Sequence, residues 1–263
     1  MAEKYRESAR VLAQEQLADQ IYSMWLQTDQ VAGAARPGQF LSLYSKDTGK
    51  LLPRPISICE LDRAQGRVRL VYRVTGKGTG TEEFSTYQAG DHVDILGPLG
   101  NGFPFERAKG KTCFLIGGGI GIPPMVQLAK ELDEAAQTMA VVGYRDSSTF
   151  LEGELSEHAA CYLATEDGSL GTKGTVLDCI RENGLKADVM FACGPLPMLR
   201  ALKTYAKEQG IECWISMEER MACGIGACLA CVCQSVEVDA HSQVHNKRVC
   251  KEGPVFLADE VEL

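Results

Sequence analysis

The sequence is poor in positive charge, in tryptophan and in long apolar runs. Its 27 Lys and Arg stand against 35 Asp and Glu, a net charge of −8, which disfavours a nucleic-acid partner. The longest apolar stretch, Cys113 to Val126, is interrupted by four glycines and two prolines and is too short to span a bilayer. The opening residues MAEKYRESAR lack the apolar core of a secretory leader. Four histidines and scattered acids form no Ser–His–Asp or paired-carboxylate constellation, so no acid–base catalytic residue is expected. Apolar residues at 45% and charged residues at 24% exclude a disordered, collagen-like or coiled-coil chain.

What the sequence does have is cysteine, eleven in 263 residues. A cytoplasmic location is expected, and disulfides are rare there. So many thiols then point to metal ligation or redox chemistry. Five of the eleven lie between Cys223 and Cys250. Cys223, Cys228 and Cys231 are spaced C-x4-C-x2-C, and Cys250 follows after 18 further residues. That is the spacing of plant-type [2Fe–2S] ligation. A four-residue loop can wrap one face of a cluster with its amides aimed at sulfur, and Gly224 and Gly226 allow the positive φ such a wrap needs. Zinc is the alternative, but zinc sites favour paired C-x2-C knuckles and only one x2 pair is present. Cys233 is expected on the opposite face of a strand as a non-ligand, and His241 and His245 as solvated loop residues.

The length suits one large or two to three small domains. Residues 1–104 carry short alternating apolar runs: Arg10–Leu17, Gln20–Leu26, Phe40–Tyr44, Ile56–Leu61, Arg67–Val74 and His92–Leu96. They predict an antiparallel barrel or sandwich. Over 105–215 apolar runs at Cys113–Ile116, Met139–Val142, Cys161–Ala164, Val189–Ala192 and Ile211–Ile215 alternate with helical patterns, clearest at Pro124–Ala135 and Leu196–Glu208. This predicts a doubly wound parallel sheet. Residues 216–263 form a small Cys-rich domain, and the Gly/Pro-rich segment 97–111 is the best domain junction.

In the second domain Gly117-Gly118-Gly119-Ile120-Gly121 follows a predicted strand and opens a helix at Pro123-Pro124. Glycine backbone can approach a pyrophosphate, and the helix start favours its charge. Cys193-Gly194-Pro195-Leu196-Pro197-Met198 ends a later strand at the same sheet edge, although Cys193 alone reads as a small core residue. In the first domain Arg54 offers a planar phosphate fork and Ser57 a donor to a flavin ring. Gly78 and Thr79 offer an amide and a hydroxyl to a pyrophosphate. Arg145, just past the second strand, stands where a 2′-phosphate is read, and Asp146 beside it disfavours one, so NAD and NADP both remain open.

The order RPIS, GKGTG, GGGIGIPPM and CGPLPM resembles the ferredoxin–NADP⁺ reductase superfamily. The tail SMEERMACGIGACLACVC…VCKEGPVF is similar to the electron-transfer subunits of NAD-dependent (class 1B) dihydroorotate dehydrogenases. The resemblance covers nearly the whole chain. It implies FAD contacts at Arg54, Pro55, Ile56 and Ser57, at Val71, Tyr72 and Arg73, and at Gly78 and Thr79. It implies cluster ligands at Cys223, Cys228, Cys231 and Cys250, and a nicotinamide-dinucleotide face at Gly118, Gly119, Gly121, Cys193, Gly194 and Met198.

It also implies a relay. Electrons from an FMN-containing catalytic subunit pass through the [2Fe–2S] centre and FAD to NAD⁺, within a heterotetramer of two plus two, with the contact near Arg220 and Met221. There are departures. Ile56 stands where wider relatives have a flavin-stacking Tyr, the chain ends Glu262-Leu263 without an aromatic lid, and Ala230 replaces a common Gly. Alternatives are a subunit of an NAD(P)H–ferredoxin oxidoreductase or sulfide dehydrogenase, and a non-enzymatic iron–sulfur redox sensor.

Overall fold

Alternating apolar residues build the first sheet. A computed structural model describes residues 3–238 and 243–263, so the expectation for His241 lies outside the described residues. The first part comprises β1 (Tyr5–Ala18), β2 (Ile21–Gln27), a short helix α1 (Val31–Ala34), β3 (Phe40–Tyr44), β4 (Arg54–Asp62), β5 (Arg67–Arg73), α2 (Gly80–Ser85) and β6 (His92–Leu99). The strands close into an antiparallel barrel in the order β1-β2-β5-β4-β3-β6. Leu41, Leu43, Ile58, Val68, Leu70 and Ile95 fill it. Because side chains alternate along a strand, Phe40, Cys59 and Val71 are buried instead against the neighbouring layers. β1 begins at Tyr5, well before the expected Arg10. Its first half pairs with β6 and its second with β2, and the polar residues on its outer face hide the first half from an apolar search.

The second part runs β7 (Thr112–Gly118), α3 (Pro123–Leu132), β8 (Gln137–Tyr144), α4 (Glu152–Ser156), β9 (Ala160–Thr165), β10 (Thr172–Lys173), α5 (Val176–Glu182), β11 (Val189–Cys193), α6 (Leu196–Gln209) and β12 (Glu212–Ser216). The tail adds β13 (Val232–Cys233), β14 (Lys247–Arg248) and β15 (Val255–Leu257). The large sheet has the order β10-β9-β8-β7-β11-β12-β15. α3 packs on one face, its Met125, Val126 and Leu128 sharing a core with Leu115, Val142 and Phe191. α5 and α6 pack on the other, with Leu177, Ile180, Leu199 and Leu202 against Ile116, Val141 and Met190. This is the expected doubly wound arrangement.

One strand is unexpected. β15, at the end of the tail, pairs antiparallel with β12, Ser216 opposite Val255 and Trp214 opposite Leu257. Its apolar run is too short to stand out in the sequence. The barrel docks on α3: the Leu61 amide donates to Gln127 Oε1 at 2.7 Å, Arg63 pairs with Glu131 at 2.8 Å, and Lys130 pairs with Glu60.

Candidate functional site

β7 sends the chain to β8 on one side, and β11 lies on the other, so their carboxyl ends open a crevice where the strand order reverses. Gly117 lies beside Cys193 in the register. A Cβ on Gly121 would stand 2.3 Å from the Cys193 carbonyl oxygen, one on Gly118 2.7 Å from Met198 Sδ, and one on Gly194 2.5 Å from Met198 Cε. Gly118, Gly121, Cys193, Gly194 and Met198 therefore form one wall. Gly119 looks across at the barrel, where an Arg73 guanidinium nitrogen comes within 3.5 Å of its Cβ position. Burial, with the Glu218 charge adding to it, pushes the Cys193 thiol up to about 12, so it stays a neutral thiol.

Glu218 is the residue that sequence reasoning missed. It lies in the tail SMEERMAC just after β12, where nothing local singles it out, and only the fold brings its charge to bear on both Arg73 and Cys193. Its side chain reaches solvent, yet neighbouring atoms partly desolvate the carboxyl and raise it above the ordinary range, while Arg73 pulls it partly back.

The barrel candidates divide by the strand period. Pro55 is exposed and Ser57 half-buried on the outer face of β4. Ile56 is 6% exposed and belongs to the barrel core. Tyr72 is 2% exposed; its ring stacks on Tyr22 at 6.1 Å and meets Phe84 edge-on at 6.5 Å. Its hydroxyl donates to Gln14 Oε1 at 3.3 Å. The side chains of Ile56 and Tyr72 are thus committed to the barrel interior. Val71 is buried toward the nucleotide sheet, while Arg73 is exposed at the crevice.

The residues present fit a dinucleotide phosphate. Arg54 is half-buried against Gly80, whose Cβ position lies 3.3 Å from the arginine Nε, and among the described residues its guanidinium has no hydrogen-bond or ion-pair partner. Gly78, at φ +74°, donates its amide to a Glu82 carboxylate oxygen at 2.6 Å, so an anion already sits on that amide. Thr79 caps α2, accepting from the Glu82 amide at 3.2 Å and donating to the Gly76 carbonyl at 2.7 Å.

This turn is braced by Glu83. Its carboxylate takes bonds from Ser45, from the Lys46 amide at 2.8 Å, from Tyr87 at 2.8 Å and from Lys50 at 3.1 Å. Partial burial alone would raise its pKa; the four bonds outweigh it and bring the carboxyl down to about 2. A depressed acid contributes stability above its unfolded value of 4.5 that is lost as pH falls toward about 2. Glu83→Gln is expected to cost on the order of 2–3 kcal/mol at pH 7. In urea titrations the gap between variant and wild type should close in strong acid, and a gap that persists there would refute the electrostatic account.

At the tail, the amides of Ile225 and Ala227 donate to Cys223 Sγ at 3.5 and 3.3 Å, and that of Cys250 to Cys231 Sγ at 3.4 Å. The thiols stand as two contacting pairs, Cys223 with Cys228 and Cys231 with Cys250. Two irons ask for two such pairs. Burial opposes ionisation of Cys223, but the amides of Ile225, Cys228 and Ala227 prevail and lower it to about 6. Cys250 is pushed up to about 12 by burial and by the Cys231 thiol. Gly224 and Gly226 adopt φ +68° and +84°.

Cys233 is buried in β13 with its thiol pushed up to about 11 by burial. The His245 Nδ1 is not merely solvated; it lies 3.0 Å from the Ser235 carbonyl oxygen. Met221 is buried in the core shared with Cys231 and Cys250, so it is no contact surface; Arg220 is exposed. The exposed apolar groups of the loop are Ile225 at 44% and Leu229 at 61%.

Residues 218–262 match the family model of the iron-sulfur cluster binding domain of dihydroorotate dehydrogenase B, and residues 8–103 that of the oxidoreductase FAD-binding domain. The chain is 46% identical over 257 residues to the dihydroorotate dehydrogenase B (NAD(+)), electron transfer subunit, of Listeria monocytogenes, covering 97% of this chain and 98% of that protein. The subunit of the same name from Geobacillus thermodenitrificans is 42% identical over 262 residues, covering 98% and 99%. A solved NADH-dependent reduced ferredoxin–NADP oxidoreductase, described for flavin-based electron bifurcation, superposes with TM-score 0.85 at 28% identity over 97% of this chain and 90% of that one. An Amycolatopsis cytochrome P450 reductase shares the fold alone, with TM-score 0.67 at 21% identity over 80% of this chain and 67% of that one.

Proposed function

The chain belongs to the family of electron transfer subunits of dihydroorotate dehydrogenase B (NAD(+)), and from that membership we propose a residue-level account of how it binds its cofactors and its partner. It is a subunit of an NAD(+)-dependent oxidoreductase, with FAD and an iron–sulfur cluster as cofactors. When bound, the cluster carries electrons singly and the flavin joins that traffic to the two-electron exchange with NAD⁺.

Cys223, Cys228, Cys231 and Cys250 would hold the cluster, Cys223 with Cys228 and Cys231 with Cys250 as the two ligand pairs. The unpaired Arg54 guanidinium and the Gly78 amide, with Thr79, would hold the FAD pyrophosphate, which would replace the Glu82 carboxylate as the anion on that amide. Ser57 and the backbone of β4 and β5 face the flavin ring. Gly118, Gly119 and Gly121, at the end of β7 and in the turn before α3, would receive the NAD phosphates, and Cys193, Gly194 and Met198 would line the nicotinamide. Asp146 supports NAD over NADP: its carboxylate, held by the Ser148 amide at 2.8 Å just past β8, suits a ribose 2′-hydroxyl and repels a 2′-phosphate.

The partner is a catalytic subunit, which we take to carry FMN and to assemble two plus two. Ile225 and Leu229, beside the exposed Cys228, offer it a contact surface. The three units at 1–104, 105–215 and 216–263 belong to the same proposal, as does a cytoplasmic location, which suits a chain of eleven cysteines. No helix among the described residues is long and apolar enough to cross a membrane.

The observation that carries the reading is the pairing of the four thiols under the loop amides. The test is co-purification with a candidate catalytic subunit, iron and sulfide analysis, and an assay of dihydroorotate-dependent NAD⁺ reduction. Absence of that activity, with a strong NADPH preference, would instead select a ferredoxin–NADP oxidoreductase subunit, the second reading favoured by the superposition at TM-score 0.85.

Glu218 acts in this scheme as a positioning residue, its charge bearing on Arg73 across the crevice without a direct ion pair. Because its pKa is raised, protonation releases Arg73 at a pH above the ordinary carboxylate range. NADH-driven dye reduction should therefore fall on the acid side. Glu218→Gln is expected to flatten that limb and lower the plateau about tenfold. An unchanged pH profile in the variant would remove Glu218 from the mechanism.

A further inference from the structure

The outer face of β3 carries a buried hydroxyl with nothing to bond. Ser42 is 1% exposed, and its Oγ has no hydrogen-bond partner. Its surroundings explain why. Phe40 and Leu99 belong to the core that also holds Cys231, Cys250 and Met221, and Leu96 lies opposite Ser42 on β6. A buried hydroxyl left unbonded is costly, so such a group marks a site completed by something else.

Two neighbours say what completes it. Ser42 Oγ lies 3.0 Å from the Cβ position of Gly224, inside the loop between Cys223 and Cys228. Ser42 is also opposite Pro55, and Phe40 opposite Ser57, in the β3–β4 register. Its side chain therefore shares the face of the barrel that carries the flavin candidates. The hydroxyl stands where the flavin face and the cluster loop meet.

We propose that Ser42 is a potential-setting residue: its hydroxyl donates a hydrogen bond to a sulfur of the [2Fe–2S] centre held by the Cys223 loop. The inference rests on the cluster reading of the four cysteines. The acceptor is sulfur because the loop's own amides already aim at Cys223 Sγ and the rest of the surroundings are apolar. A donor to cluster sulfur stabilises the reduced, more negative state, so the bond raises the reduction potential. With the cluster bound, its effect would be to make the cluster easier to reduce.

The test uses the whole complex, with Ser42→Ala and Ser42→Thr, and reads the cluster midpoint by redox titration followed by electron paramagnetic resonance. Ser42→Ala should retain iron and sulfide yet lower the equilibrium constant for cluster reduction severalfold, up to about tenfold, which is about 59 mV for one electron. Ser42→Thr, which keeps the hydroxyl, should stay within about twofold of wild type. An unchanged midpoint in Ser42→Ala would overturn the proposal. So would equal shifts in both variants, which indicate packing, or a shift confined to the flavin couple, which moves the donor to the flavin. Loss of the cluster in both variants would make Ser42 structural and overturn it as well. Wild-type complex without iron and sulfide would sink the cluster reading itself, and this inference with it.

Discussion

Cys228→Ser is expected to abolish dihydroorotate-driven NAD⁺ reduction while leaving a substantial part of NADH-driven dye reduction. The two assays separate because the cysteine loop and the nucleotide crevice are built from different segments of the chain. Cys228 is the exposed member of the Cys223–Cys228 pair, on the rim beside Ile225 and Leu229. Serine presents a harder, far less acidic donor, and the pair then offers one thiolate where two are required. The loss should exceed the 10–100-fold typical of disturbing groups that only support a ligand. The fold should survive, since the exposed Cys228 side chain fills no core. Arg54, Gly78 and Thr79 lie on the barrel, so flavin should remain bound. If transfer between subunits persists at the wild-type rate in this variant, electrons do not travel by way of these four sulfurs.

Gly121→Ala should be the most damaging single-methyl change in the nucleotide crevice. Its Cβ would meet three backbone atoms: the Cys193 carbonyl oxygen at 2.3 Å, its carbon at 2.5 Å and the Gly194 nitrogen at 2.6 Å. The Cys193–Gly194 backbone, at the end of a strand held in the sheet, cannot step aside as a side chain can. The turn carrying Gly121 and the end of β11 must part, with a cost of about 3 kcal/mol or more and a fall in Tm of roughly 6–12 °C. Because these segments frame the proposed nicotinamide wall, KM for NADH should rise with it.

Gly118→Ala is the control. Its Cβ would also be close, 2.7 Å from Met198 Sδ, but that atom ends a flexible side chain that can swing away. A smaller stability loss with a local effect on nicotinamide binding is expected. Equal destabilisation by the two variants would show that the crevice is tight everywhere and that the backbone contact has no special weight. Neither glycine is at positive φ, so room, rather than backbone freedom, accounts for glycine at both positions.

The sequence disclosed the elements whose signals are local. The barrel strands, the βαβ run and the cysteine spacing are each written within a few dozen residues, and the strand starting at Phe40 ends at Tyr44 as its apolar pattern says. Orientation was harder to read. Arg54-Pro55-Ile56-Ser57 was legible as a motif, yet only the strand pairing shows that Ile56 faces the barrel core while Pro55 and Ser57 face outward. Tyr72 is the same case: a polar aromatic beside a flavin motif looks functional, but its partners, Tyr22, Phe84 and Gln14, come from three other segments. Glu218, although inside the tail SMEERMAC, and Ser42 carried no signal of a role. Each is an ordinary residue in its local context, and each acquires meaning from groups scattered along the chain.

The pairing of Val255–Leu257 with Glu212–Ser216 has a consequence for distance. The segment bearing all four candidate ligands leaves the nucleotide sheet at one strand and rejoins it at the very next one. It is a loop tied at both feet, with no free arm to swing. Electron hopping weakens steeply as the gap widens, so a tethered excursion keeps the tunnelling length constant while the partner docks and departs. Evolution can then remodel the exposed tip, where Ile225 and Leu229 sit, without detuning the internal wire.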